Sequence, residues 1–508
     1  MSVYIIGIGG TGHRVIESLL NLAAAGAVPT DTMKILCVDS DVSNGNLDSL
    51  IGKIKLYRDS SQHGTVFAPK LETAVIGHAD SDNPCWSPTL ANSTMEGLFN
   101  KNGMDPDGKR VFDSLFTAEE QTVVLNEGFY GHTSIGALLF AEQIRPDGVH
   151  LCPIWDNFFN GINHNEDKII LIGSTFGGTG ASGIPVISSI LRQSFPEAKI
   201  AALLVMPYFK FIKSEEVPQP ADNPTSWLNS ENRIVSNDIA IDWTYFMPKT
   251  KAAFSYYEKQ NFSTIFNDIY IIGESPKNFV DVKYSKGASS QANKPHIIEL
   301  FASTAIVDFI QNASASFTVK CLGREVEAVN GNLEHLSTMA MLVTPQKDAT
   351  LPVSVAVFMR FCVMYTKYYY HCLINNKGDG TWSSLYNKID HDELKALYDF
   401  CISYMKWIRK AHLKTDADGM VSDITEPSVK FFNFQRELYH LFDYAPIKGG
   451  FFGNNIMLDP LDAIKYMIVD KEACDANTIN IRFNELKCDT SKSDIANLYN
   501  NLMSACAL

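Results

Sequence analysis

Two glycine-rich runs in this 508-residue chain have the residue types and spacing that hold phosphate. The first, Gly7-Ile8-Gly9-Gly10-Thr11-Gly12, follows a near-continuous apolar run at residues 3–8. The second, Gly173-Ser174-Thr175-Phe176-Gly177-Gly178-Thr179-Gly180-Ala181-Ser182-Gly183, follows another at residues 168–172. Glycine lets a backbone take positive φ and approach an anion with no Cβ in the way, and a helix that follows aims its unpaired amides at that anion. Successive amides over residues 177–183 can form an anion-binding concavity, with Thr179 and Ser182 as added hydroxyl donors. Two such loops, each opening a helix, imply one phosphate chain held from two sides.

The elements around the loops have the periods needed to position them. Apolar runs of this kind mark strands buried on both faces of a parallel sheet. After Gly12, Val15, Ile16, Leu19, Leu20, Leu22 and Ala23 fall at helical spacing and stop near Gly26. The helix after the second loop is expected to carry Pro185 in its tolerant first turn. A second strand, residues 34–38, ends in Asp39-Ser40-Asp41, and an acid there takes ribose hydroxyls in a dinucleotide fold. A third loop, Gly131-His132-Thr133-Ser134-Ile135-Gly136, opens a further helix over residues 137–144. Residues 56–126 are punctuated by Pro, Asn, Asp and Gly and are expected to be an insertion with little regular structure. Within it, the run from Gly103 to Arg110 imitates a P-loop, but Arg110 stands where a magnesium-binding hydroxyl is needed and no strand precedes it. It is expected to be a solvated turn.

Composition narrows the classes of function. The chain is 45% hydrophobic and 20% charged, as in folded proteins of two or three domains. A formal charge of −14 argues against a nucleic-acid footprint, although a nucleotide can be met by amides and a cation. The ten cysteines show no C-x-x-C pair, so neither zinc nor a disulfide framework is indicated. No secretory signal precedes the first strand, and the most apolar later stretch, residues 353–370, contains Arg360 and Lys367, so a cytoplasmic protein without a membrane span is expected.

The second loop resembles the signature loop of the tubulin/FtsZ superfamily, G-G-G-T-G-[ST]-G, with Phe176 in place of the first Gly and Ala181 in place of [ST]. The first loop, the acids after the second strand, and the third loop in the place of G-G-N-P-x-I-G follow in the family's order. The resemblance covers about residues 1–312 and is nearest in appearance to divergent bacterial tubulin-like proteins, which carry an insertion before the third loop. It implies an α/β, Rossmann-type parallel sheet flanked by helices, which binds GTP or GDP with Mg2+. The nucleotide-binding residues it implies are Gly9, Gly10, Thr11, Gly12, His13, Asp39, Ser40, Gly131, His132, Thr133, Gly177, Gly178, Thr179, Gly180, Ala181 and Ser182. Asp39 and Asp41 would orient the metal through water. Pro207-Tyr208-Phe209 is similar to the family's sugar-side loop, and Asn293, near the start of a helix over residues 296–310, would read the guanine edge or else cap that helix. Self-association or a partner protein is implied as well.

The chain also departs from the family. The acidic N-x-D-x-x-D segment expected after Ile310 is missing, and Glu325, Glu327 and Glu334 lack its spacing. Residues 313–508 carry helical spacings at 353–374, 393–412, 429–444 and 460–469, and so read as a divergent, mostly helical C-terminal domain. The cluster from Tyr365 to His371 is expected to be core, and Asp416-Ala417-Asp418-Gly419 a turn. Two other readings stay open. One is a non-hydrolysing, nucleotide-sensing scaffold that acts with partner proteins. The other is a Rossmann-type adenylating or nicotinamide enzyme built on the first loop alone, which leaves residues 177–183 unexplained.

Overall fold

The computed structural model describes residues 1–61, 66–77, 82–88, 94–122, 133–212, 246–274, 276, 279–283, 293–323, 350–377, 381–412, 447–448, 455–456 and 475–507. Its centre is an eight-stranded sheet whose pairs are all parallel. The strands are β1 (Ser2–Ile8), β2 (Thr32–Val38), β3 (Lys70–Thr73), β4 (Cys85–Trp86), β5 (Lys168–Ser174), β6 (Lys199–Val205), β8 (Asp268–Gly273) and β10 (Thr318–Gly323). A separate parallel pair is formed by β7 (Phe209–Ile212) and β9 (Val280–Lys283). The sheet order is β10-β8-β6-β5-β1-β2-β3, with β4 also on β2.

Alternation along each strand divides the apolar residues between two cores. Val3, Ile5, Ile170 and Ile172 face one layer, with α1 (Gly9–Ala24) and α2 (Gly45–Asp59). Tyr4, Ile6, Ile169 and Leu171 face the other, with α3 (Thr133–Ile144), α4 (Gly178–Ser194) and α5 (Phe246–Lys259). The first layer also takes up α6 (Ile297–Asn312) and the C-terminal helices α7 (Thr350–Met364), α8 (His391–His412), α9 (Ala476–Glu485) and α10 (Asp494–Cys506). The fold class expected from the sequence, a parallel sheet between helices followed by a helical C-terminal region, is the one observed.

This strand order places a ligand crevice. From β1 the chain crosses through α1 to β2 on one side, whereas from β5 it crosses through α4 to β6 on the other. Adjacent strands whose connections diverge leave a gap beyond their carboxyl ends, where open α/β sheets bind ligands. Gly7 is level with Cys37 on β2 and with Ile172 on β5, so both glycine runs and the acidic loop leave the sheet at one height.

Four details differ from the sequence expectation. The stretch at 56–126 contains the end of α2, strands β3 and β4 on the sheet edge, and a helix at Pro106–Leu115. Strand β3 is short and mostly polar and β4 has only two residues, so neither shows an apolar run. The P-loop imitation is the capped start of that helix, with Gly108 N–H donating to Asp105 Oδ1 at 2.6 Å. Strand β10 joins the main sheet from beyond the boundary expected at residue 313. Helix α4 starts at Gly178, so Pro185 lies in its interior and cannot donate to the Ala181 carbonyl. Tyr257 Oη of α5 donates to that carbonyl instead, at 3.1 Å.

The C-terminal helices share the first layer's core. Phe67 packs against the rings of Phe358, Phe400 and Tyr499, and Tyr499 Oη donates to the Ala24 carbonyl at 2.7 Å. Tyr365 and Tyr369 are buried on a π turn at the end of α7, which is the core role expected of that cluster. The helical spacings at 429–444 and 460–469, the acids Glu325, Glu327 and Glu334, and the turn at Asp416 lie outside the described residues. Among the described residues no helix is long and apolar enough to cross a membrane.

Candidate nucleotide-binding cradle

The two glycine runs meet. Gly9, the first residue of α1, has φ of +71°, and a Cβ on it would stand 3.3 Å from Thr179 Cβ and 3.6 Å from Gly180 N. The loops therefore wind directly into their helices, and α1 begins at Gly9 rather than after Gly12. Gly12 packs under the turn, where a Cβ would lie 2.7 Å from the Gly7 carbonyl carbon and 2.9 Å from the Ile172 oxygen. Gly180 does the same in the second loop, 2.6 Å from Ser174 N. Glycine at these last two positions permits close backbone packing, which brings the N-termini of α1 and α4 side by side.

The acidic loop closes a third side. Asp39 is buried and its Oδ1 accepts from the Asp41 amide at 3.3 Å, while Asn44 and Asn46 beyond it stand against Gly10. Burial pushes the Asp39 carboxyl up to about 7, against the pull of the Asp41 and Ser40 amides. Asp41 is also buried, and its Oδ1 accepts from the Ser43 amide at 3.1 Å and the Ser43 hydroxyl at 2.9 Å. Ser40 Oγ is buried with no hydrogen-bond partner among the described residues. Helix α2 follows from Asn44, whose Oδ1 caps it by accepting from Asn46 N–H at 2.8 Å.

The remaining expected site residues fall into three groups. Thr11 lies in the first turn of α1, while Gly177 caps α4 and Gly178 and Ala181 belong to its first turn. Ser182 is buried and donates its one hydroxyl hydrogen to the Gly178 carbonyl at 2.7 Å, so the donor role expected of it falls to Thr179. Gly131 and His132 lie outside the described residues, and Thr133 is the exposed first residue of α3. Asn293 does reach the site, since its backbone N–H donates to Asn46 Oδ1 at 2.9 Å. It is not the cap of α6, because His296 takes that place with Nδ1 accepting from Ile298 N–H at 3.1 Å.

A buried polar network behind the first loop was not legible in the sequence. Arg14 Nε meets Glu299 Oε1 of α6 at 2.6 Å, and Tyr208 Oη, a partner of Arg14 as well, donates to the same oxygen at 3.0 Å. Glu299 Oε2 accepts from His296 N–H at 3.0 Å, completing a capping box. Tyr208, in the segment similar to the family's sugar-side loop, therefore braces α1 against α6 from within the core. Nothing in the local sequence pairs residues 285 positions apart.

His13 is fully buried beside this pair, with neither ring nitrogen partnered among the described residues. Burial and the Arg14 charge pull it from 6.5 down to about 3. The folded chain thus binds fewer protons at His13 than the unfolded chain between these values. Its share of stability is complete above pH 6.5 and drains as pH falls toward 3. The melting temperature of His13→Leu is expected to fall less than that of the parent between about pH 7 and about pH 5. Equal falls would contradict the assignment.

No protein-family model matches the chain. Curated relatives include the tubulin-like protein CetZ of Pyrococcus horikoshii, 26% identical over 149 residues, or 29% of this chain and 39% of that protein. The tubulin-like protein CetZ of Pyrococcus furiosus is 28% identical over 149 residues, 29% of this chain and 38% of its own. The matches thus span well under half the length of these relatives. Both relatives are archaeal, so the bacterial character expected from the insertion finds no support in them. Among solved structures, CetZ2 from Haloferax volcanii, described as a GTPγS-bound protofilament, is 12% identical over 61% of this chain and 58% of that one. Its TM-score of 0.27 is too low to speak to the fold. Over nearly a third of its length, this chain is similar in sequence to archaeal tubulin-like proteins of the CetZ type.

Proposed function

We propose that this chain is a tubulin/FtsZ-like protein that binds GTP or GDP with Mg2+ between its two glycine loops. The contact of Gly9 with Thr179 carries this reading, because it sets two helix N-termini against one space at the crevice of the sheet. A dinucleotide enzyme needs only the first. The site fits a polyphosphate in chemical terms too, since the faces that meet there offer backbone amides and, against Gly10, the unpartnered Asn46 amide. In this reading, amides of Gly9, Gly10, Thr11 and Gly12 and of Gly177, Gly178, Thr179 and Gly180 hold the phosphates, Gly131, His132 and Thr133 close over the terminal one, and Asn293 reads the base. Asp39 and Asp41 would hold waters of Mg2+, which when bound neutralises phosphate charge while keeping much of its hydration. The similarity to proteins named tubulin-like supports the same assignment.

Thr179→Trp places an indole beside Gly9, and Gly178→Trp crowds the same turn. Each is expected to abolish nucleotide retention after gel filtration, with helix content unchanged. A variant that retains nucleotide like the parent contradicts the placement.

The second reading, a non-hydrolysing scaffold, is favoured by one observation. The segment directly after α6, residues 313–323, carries no Asp or Glu. Phosphate release against protein concentration separates the two. A self-assembling GTPase accelerates steeply as subunits meet, whereas a scaffold stays silent throughout.

A further inference from the structure

Asn46 has a side chain with two distinct ends. Its Oδ1 accepts from the Asn293 backbone N–H at 2.9 Å, and only an oxygen can meet that donor, so the orientation of the amide is fixed. The NH2 group is thereby turned toward the first glycine loop, where a Cβ on Gly10 would lie 3.0 Å from Nδ2. Asn46 is 2% exposed, and Nδ2 has no acceptor among the described residues. A buried donor without a partner is costly and calls for an acceptor. The amide of Asn44 lies against the same spot, its Nδ2 3.4 Å from that Cβ position. The loop itself offers N–H donors there, so the missing group is an acceptor-only one such as a phosphate oxygen.

We propose that Asn46 contacts the ligand and couples occupancy of the phosphate cradle to the start of α6. Its amide nitrogen donates to a phosphate oxygen while its amide oxygen holds the Asn293 backbone. Three residues separate Asn293 from Ile297, the first residue of α6, and one of them is the cap His296. A ligand that fixes the Asn46 amide therefore fixes the N-terminus of the helix that Glu299 ties to Arg14. This inference rests on the nucleotide-binding reading and adds a residue and a route of coupling to it.

Hydrogen exchange and equilibrium binding on the full chain test it, with GDP and inorganic pyrophosphate as probes. In the parent, both probes are expected to protect backbone amides at 9–12 and at 293–299. Asn46→Asp keeps the oxygen for Asn293 but loses the donor, and is expected to weaken GDP about tenfold to a hundredfold, as for a hydrogen bond to a charged group. Asn46→Ala at saturating pyrophosphate, which has no base for Asn293 to meet, is expected to protect 9–12 but no longer 293–299. Asn46→Asp binding GDP within about twofold of the parent, or Asn46→Ala retaining protection at 293–299, overturns the inference and leaves the nucleotide reading intact. Should either variant fail to fold, the parent decides, because bound pyrophosphate that leaves 293–299 unprotected also overturns it. A parent that binds neither probe removes both the nucleotide reading and the inference.

Discussion

Gly12→Val is expected to cost the chain its folded state, and with it any nucleotide binding. Its Cβ would lie 2.7 Å from the Gly7 carbonyl carbon and 2.9 Å from the Ile172 oxygen, both main-chain atoms of central strands. A flexible side chain can move aside, and overpacking of that kind costs about 1–3 kcal/mol. Here relief would require β1 and β5 to part at the register that levels the two loops. Gly52 is the contrast, since it lies inside α2 with nothing within 4 Å of a Cβ. Gly52→Ala is expected to stabilise by about 0.5–1 kcal/mol, because the unfolded chain loses freedom. Urea denaturation of the two variants checks both signs. A Gly12→Val protein as stable as the parent would show that the loop is not packed as described.

Glu299→Ala is expected to destabilise by about 3–5 kcal/mol, the range for removing one partner of a buried pair. The carboxylate is 1% exposed and Arg14 is 4% exposed, so the guanidinium would be left without its counter-charge. The capping box of α6 would be lost as well. The pair as such is worth much less than this penalty, because its attraction offsets the desolvation of both groups. A double variant, Arg14→Met with Glu299→Leu, is therefore expected to be more stable than Glu299→Ala alone. Denaturant midpoints of the two proteins provide the test. A double variant that is the less stable would show that the ion pair itself, rather than the orphaned charge, dominates.

Sequence reading reached the elements whose signal is local. Strands β1, β2 and β5 stand out because a strand buried on both faces must be apolar throughout. The glycine runs stand out because few residues tolerate such close approach. Where the first helix begins was hidden, since Gly9 alone takes positive φ and the residues after it are already helical. Strands β3 and β4 were missed because each hydrogen-bonds to β2 without an apolar run of its own. Asn293 was open to two readings, base contact or cap of α6, because Asn commonly caps helices and His does not. The structure uses His296, whose ring packs against Tyr208 at a tilt of 41°, with 4.9 Å between centroids. What decides the back of the site, Arg14 with Glu299 and Asn46 with Asn293, joins segments more than two hundred residues apart. Such pairs become visible only once the parallel sheet has set α1, α2 and α6 in one layer.

The measurement that bears most directly on the account is the identity of the small molecule released when the purified full-length chain is denatured. Two glycine loops closing on one polyphosphate predict GTP or GDP, released by the parent and missing from Thr179→Trp. Release of an adenine or nicotinamide nucleotide from the parent, or of guanine nucleotide in equal amount from both proteins, would contradict it.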